Sequence, residues 1–367
     1  MTVLGSAISV AYAGTFLISL APGEGIESAL SAINDDGWIA GSYQPTKPGD
    51  SKDDHGFVGP RQGPYQTFQF SGDNSNGYAQ YYGTAPRGIN NAGMVIGVYS
   101  SLGGDCGTPV NMNDCRGFVR DPSGRLRWIT ISGRAPIHGI GMGINSKGSF
   151  VGEYSHYDKD HPELKTIGYL GKINAVSAVR VSDITLPWVC ADKLSPTCIA
   201  RIAPRGINAQ GDIVGFFRKA NGSVQGFVMR TIGEGVEVWV LNAQIVHHQT
   251  LGDMALGNTR PQSIKDNGDI AGSWEDKDGH EHGFVLKSNL KSWTIFEAPN
   301  AVETQAFQMN DFGQIAVSGK TAGGASVNYI YCPAAGPNGC TGHKSREELV
   351  GTERTDWHEA SGAPLPN

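Results

Sequence analysis

The chain has 367 residues, a length that for ordinary domains suggests two or three. It holds 51 Gly and 19 Pro, and only 17% of its residues are charged; this composition fits many short strands joined by tight turns rather than a helical bundle. The net charge of −6 argues against a nucleic-acid partner, and no like-charge run, basic amphipathic segment or long apolar stretch points to a membrane.

No charge occurs before Glu24. Ala11-Tyr12-Ala13 has the form of a signal-peptidase site, but without a basic n-region the stretch from Ala7 to Tyr12 reads better as a strand. Thr15-Phe16-Leu17-Ile18-Ser19-Leu20 is a second strand that precedes a long repeat. The repeat first occurs as Ala32-Ile33-Asn34-Asp35-Asp36-Gly37-Trp38-Ile39-Ala40-Gly41-Ser42-Tyr43 and again as Gly88-Ile89-Asn90-Asn91-Ala92-Gly93-Met94-Val95-Ile96-Gly97. Further copies start at Gly143-Ile144-Asn145, Gly206-Ile207-Asn208, Ser263-Ile264-Lys265 and Gln308-Met309-Asn310, at intervals of 45 to 63 residues. Asn-x-x-Gly is a tight turn, because Gly takes positive φ and Asn bonds its own backbone; the apolar residues on either side form a hairpin.

A second phrase follows each copy: His55-Gly56-Phe57, Arg116-Gly117-Phe118, Ile167-Gly168-Tyr169, Gln225-Gly226-Phe227 and His282-Gly283-Phe284, with Asn328-Tyr329-Ile330-Tyr331 in the last place. It supplies a third strand, and segments such as Leu126 to Ile131 and Ser292 to Phe296 a fourth. Four strands per unit at this period predict an all-β chain, a closed β-propeller of about six four-stranded blades. The strand at Thr15 would complete the last blade and lock the ring. Residues 1–367 form one domain in this reading, with 341–367 as a strap or tail.

The cysteines fall as three local pairs, Cys106 with Cys115, Cys190 with Cys198 and Cys332 with Cys340, which predicts three short disulfide staples and an oxidising, secretory setting. Asn221-Gly222-Ser223 is a glycosylation sequon. No metal-ligand spacing is found, and Asp276-Lys277-Asp278-Gly279 lacks the remaining ligands of a calcium loop, so no metal or cofactor is expected. His156 and His161 read as a solvated hairpin tip, and His247-His248 lie in an irregular inter-blade stretch from Gln244 to Asn258.

The Gly-Ile-Asn-x-x-Gly phrase followed by His-Gly-Phe resembles the HAF family of extracellular repeat proteins. The resemblance covers nearly the whole chain, departs at Lys265 and in the last copy, and implies the fold rather than an activity. By analogy of size, secreted character and repeat, and through no residue motif, the chain is also similar to fungal hetero-Diels–Alderases of tropolonic sesquiterpene pathways. That analogy implies a metal-free pericyclase joining a tropolone quinone methide to a humulene-type olefin.

Residues just before each Gly-Ile-Asn should face the channel mouth. They are Arg87, His138 with Met142, Arg205, Arg260 with Gln262, and Gln305 with Phe307. Arg87, Arg205 and Arg260 at comparable positions would suit an anionic or polarised oxygen, or would instead bond carbonyls between blades. His138 is the best acid–base candidate, whereas His55 and His282 lie inside the repeat and read as structural. In the enzyme reading His138, Arg87 and Arg205 are catalytic, and Arg260, Gln262, Met142, Phe307, Tyr81 and Trp188 contact a small-molecule substrate. The alternatives are a carbohydrate-binding or polysaccharide lyase propeller and a non-catalytic scaffold. An apolar pocket favours the pericyclase, a shallow polar cleft the carbohydrate reading, and a channel lined by small residues the scaffold. Sequence leaves the oligomeric state open.

Overall fold

The computed structural model describes residues 15–18, 28–45, 54–69, 83–100, 115–129, 139–158, 161–173, 180–186, 199–232, 235–241, 246–248, 252–254 and 258–332. The described residues form strands and turns with no helix, and the strands build repeated antiparallel units in a propeller arrangement. Unit one shows the plan. Ser28–Ile33 pairs with Trp38–Tyr43, which pairs with His55–Pro60, which pairs with Gln66–Phe68. The innermost strands of the six units are Ser28–Ile33, Gly83–Ile89, Gly139–Ile144, Ile199–Ile207, Arg260–Ile264 and Glu303–Met309.

Two features of the repeat explain the units. The turn glycines Gly37, Gly93, Gly148, Gly211, Gly268 and Gly313 all have φ between 73° and 91°, a region closed to most side chains. On the next strand, Gly41, Gly97, Gly152, Gly215 and Gly272 lie opposite Phe57, Phe118, Tyr169, Phe227 and Phe284. A Cβ at Gly97 would stand 2.4 Å from the Ala85 carbonyl oxygen and 2.7 Å from the Phe118 ring. The glycine thus clears space for a wholly buried ring, which is why the two phrases recur together.

Ladders stay within four of the sheets, each four-stranded, but units three and four share one eight-stranded sheet. This corrects the expectation of six separate four-stranded sheets. The join is a single parallel pairing of Thr166 with Arg201, made where the 12-residue strand His161–Lys172 overruns its unit and meets the long strand Ile199–Ile207. Thr15–Ile18 pairs with Ser326–Cys332 as the outermost strand of unit six, as the sequence predicts. Gln244 to Asn258 is not wholly irregular either, since Val246–His248 and Gly252–Met254 form a short hairpin.

Apolar packing is cyclic. Cores lie between units one and two around Val58 and Phe118, two and three around Ile96 and Tyr169, and three and four around Val151 and Phe217. Others lie between four and five around Val228 and Phe284, five and six around Val285 and Tyr331, and six and one around Ile330 and Phe57. Polar bonds follow the same cycle. The repeat asparagines Asn34, Asn90, Asn145 and Asn208 each donate from Nδ2 to the backbone carbonyl at the same place in the next unit, at 2.8–3.1 Å. Asn310 donates to the Asn34 carbonyl at 3.0 Å, joining unit six to unit one. Each Oδ1 meanwhile accepts the backbone N–H four residues on, closing its own turn. One carboxamide therefore caps a turn and staples a seam, and being buried it does both without competition from water.

Candidate functional site

Every innermost strand carries a β-bulge just before its turn. The residues that the register skips are Ser31, Arg87, Met142, Arg205, Gln262 and, in unit six, the pair Phe307-Gln308. A bulge re-aims the side chain it frees. A cavity of about 40 Å³ is lined by Arg87, Met142, Arg205, Gln262 and Gln308, so four of the residues expected at the channel do converge there. A second cavity of about 60 Å³ lies at the turn end and draws its lining from all six units, with Asp35, Asp266 and Asp311 among it.

Two expectations need correction. Arg260 is not equivalent to Arg87 and Arg205: it stands two residues before the bulge, ahead of Pro261, whereas Arg87 and Arg205 follow Pro86 and Pro204. Its guanidinium is instead clamped by Glu275, at 3.0 Å, and by Glu281. Phe307 packs beside the core between units six and one, and the two-residue bulge hands its channel position to Gln308. Gln305 also points away from the cavity and donates to Glu281.

The strongest electrostatic feature lies at the seam of units three and four. Glu153, wholly buried, accepts from Arg201 Nε and Nη2, both at 2.7 Å, and from Arg205 Nη1 at 2.8 Å. Burial alone would raise the Glu153 carboxyl; the Arg205 and Arg201 guanidiniums outweigh it and hold the group below the usual carboxylate range. Burial lowers the Arg205 guanidinium, Glu153 opposes that shift, and nearby Arg201 and Arg87 add to it. Phe216 lies under both arginines, 4.8 Å from the Arg205 guanidinium and 5.8 Å from that of Arg201. Arg218, exposed on the neighbouring strand, is lowered first by partial burial and then by Arg201 and Arg260. Sequence reasoning missed Arg201 and Arg218 because they lie outside the repeat phrase, and Glu153, which stands in the phrase where the first copy has Ser42, because only the fold brings the three together.

The histidines of the repeat both pack against neighbouring side chains. His282 is pinned between Glu297 and Asp276, the latter at 3.2 Å, and stacks on Trp274 at 4.5 Å. Burial lowers it, but the two carboxylates win and keep the ring above its ordinary value. His55 packs edge-on against Tyr43. Among the described residues no group of three or more His, Cys, Asp or Glu is placed to hold a metal. Asn221 sits exposed on a turn, its Oδ1 accepting from Ser223. Cys115 and Cys332 are buried and disulfide-bonded, while Cys106, Cys190, Cys198 and Cys340 lie outside the described residues. His138, Tyr81, Trp188 and residues 341–367 lie outside them as well.

No known protein-family model matches the chain, and no curated protein matches it in sequence. The HAF resemblance therefore stands on the repeat phrases alone. Among solved structures the chain is similar to a fungal lectin from Aleuria aurantia, described as a six-bladed β-propeller with a fucose recognition mode. The two share 14% identity over 74% of this chain and 78% of that one, with a TM-score of 0.37. It is also similar to a Trypanosoma rangeli sialidase, at 8% identity, a TM-score of 0.47, 88% coverage of this chain and 59% of the other. A Hadza microbial sialidase matches at 10% identity and a TM-score of 0.46, over 83% of this chain and 64% of that one. Likenesses this distant carry no argument about activity.

Proposed function

We propose that the chain is a closed six-bladed propeller that binds an acidic saccharide at the arginine-rich end of its channel, where the innermost strands begin. Support for closure comes from the cyclic packing, the Asn310–Asn34 bond and the strand at Thr15. The observation that carries the ligand class is the gathering of Arg87, Arg201, Arg205, Arg218 and Arg260 within electrostatic reach of one another, in a chain of net charge −6. A planar guanidinium matches a carboxylate fork, and guanidiniums gathered in one place offer an anion several such partners.

The two channel cavities among the described residues, about 40 and 60 Å³, are polar and far below the roughly 300–1,000 Å³ that encloses a drug-sized ligand. A terpenoid cycloaddition needs an apolar enclosure, so a polar ligand held at the mouth fits better. Binding fits better than bond cleavage, since Glu153 is saturated by two guanidiniums and His282 by two carboxylates. The oxidised state of Cys115 and Cys332 supports a secretory setting.

Calorimetric titration with oligogalacturonate and with a neutral oligosaccharide tests this reading. The acidic ligand should bind, more weakly at high salt, and Arg218→Ala should lose about 10- to 100-fold in affinity, the range of one charge-assisted bond. Equal affinity for both oligosaccharides, or none for the acidic one, would end it.

A further inference from the structure

We infer that His282 is a proton-dependent latch on the seam between units five and six: its doubly protonated ring completes a bonded path from one unit to the other, and loss of one proton slackens the joint.

The surroundings of the ring dictate its charge. His282 is 8% exposed, and both of its nitrogens face carboxylates, Nδ1 that of Glu297 and Nε2 that of Asp276 at 3.2 Å. A neutral imidazole has one N–H and one lone pair, so it would set its lone pair against one of the two carboxylates; only the imidazolium donates to both. Stacking on the wholly buried Trp274 fixes the plane of the ring, with centroids 4.5 Å apart and planes 22° apart.

Asp276 belongs to the turn ahead of the strand Glu281–Leu286. Its Oδ1 accepts the Asp278 N–H at 2.8 Å and the His280 N–H at 2.9 Å, and its Oδ2 serves His282. Burial would raise this carboxyl, but the His280 N–H, the His282 ring and the Asp278 N–H together hold it below the ordinary range. The His280 ring lies 3.8 Å from Asp276 Oδ2, and Lys277 and Asp278 pair with each other at the exposed tip of the turn. Glu275 and Glu281 both hold Arg260. Among the described residues no other side chain bonds to the His282 ring.

The clamp crosses the seam through Glu297. The hydroxyl of Thr304, on the innermost strand of unit six, donates to Glu297 Oε2 at 3.1 Å and accepts the Ala298 N–H at 2.9 Å. Two residues on, the Ala306 N–H donates to Ser273 Oγ of unit five at 3.0 Å. At the turn end of this seam Lys265 replaces the asparagine whose carboxamide crosses the other five, so the bonds at the His282 end count for more. His55, at the matching place in unit one, meets Tyr43 edge-on, and no carboxylate bonds to it among the described residues. The latch is peculiar to unit five.

Burial weakens the hold of the His282 ring on its proton; the Glu297 and Asp276 contacts outweigh that and keep the ring above its ordinary value of 6.5. The folded chain therefore binds this proton more tightly than the unfolded one. The contribution of the latch is full below the ordinary histidine range and is lost as pH rises through the raised native value.

The test is an NMR titration, from about pH 5 to 9, of the full chain carrying carbon-13-labelled histidine. Hydrogen exchange at the Ala306 amide, corrected for the intrinsic pH dependence of exchange, reads the opening of the seam in parallel. One ring should titrate above 6.5 and be missing in His282→Gln. Glu297→Gln removes one carboxylate and should move that midpoint down, which identifies the ring if His282→Gln folds poorly. Across the midpoint the protection of Ala306 should fall about 10-fold, the lower range of one bond to a charged group, while that of Ile129 in unit two should not change. In Glu297→Gln the carboxamide can accept from Nδ1 or donate to it, so Ala306 protection should no longer follow pH. A His282 midpoint at or below 6.5, unchanged Ala306 protection across the midpoint, or an equal change at Ile129 would overturn the latch.

Discussion

Asp311 shows how one residue type serves two ends in this molecule. Its backbone N–H donates to Asp35 at 2.7 Å, and its own carboxylate accepts the Asp266 N–H at 3.1 Å, so it sits in a second chain of inter-unit bonds outside the asparagines. Burial raises its carboxyl; the Asp266 N–H opposes this, while the charges of Asp35 and Asp266 add to it. A carboxyl raised in the folded state binds its proton more tightly there than in the unfolded chain. Below the ordinary carboxylate range both states are protonated and the group is neutral to stability. As pH rises through that range the unfolded chain loses its proton first, and the native state is penalised. Asp311→Asn keeps an oxygen acceptor and removes the charge. It should raise stability at pH 7 by up to about 0.5 kcal/mol, the scale of exposed substitutions, and leave it unchanged at pH 3. Denaturant melts of both proteins at the two pH values check the sign.

At the scale of the element, the repeating unit was legible to the extent that its residues act locally. Asn-x-x-Gly and Gly-Phe announce a turn and a cross-strand pair, and both are found where the sequence places them. What needs the partner unit was not legible. Arg260 looked equivalent to Arg205 because spacing along the chain ignores the bulge, and Gln308 was passed over because unit six bulges by two residues instead of one. Glu153 carries no local signal, since its meaning comes from Arg201, 48 residues away. The one irregular turn yields a direct test. Lys265 has no carboxamide with which to reach the carbonyl of Asn310, and its turn is closed instead by Asn267 Oδ1, which accepts from Asp269. Lys265→Asn should supply the missing seam bond and raise stability by about 0.5–1.5 kcal/mol, the net worth of one buried hydrogen bond. An unchanged unfolding midpoint would show that the seam gains nothing from it.

The whole molecule depends on Thr15–Ile18, which covers the edge of Ser326–Cys332 with a register running from Thr15 opposite Cys332 to Ile18 opposite Tyr329. Without that strand the edge of unit six presents unpaired backbone groups, a template for pairing between chains. A variant lacking residues 1–18 should therefore self-associate, read as a concentration-dependent rise in mass by light scattering, while the full chain should not.

Three irregularities meet in unit six. Its sheet is built from two distant parts of the chain, its seam with unit five lacks an asparagine bond, and Val317 faces Tyr329 where five other units place a glycine against a ring. A wheel with one loose joint gives way at that joint. Unit six is the segment expected to swing out first when the structure loosens, and Gln308 would travel with it, withdrawing from Ile89 and opening the wall that it gives to both cavities.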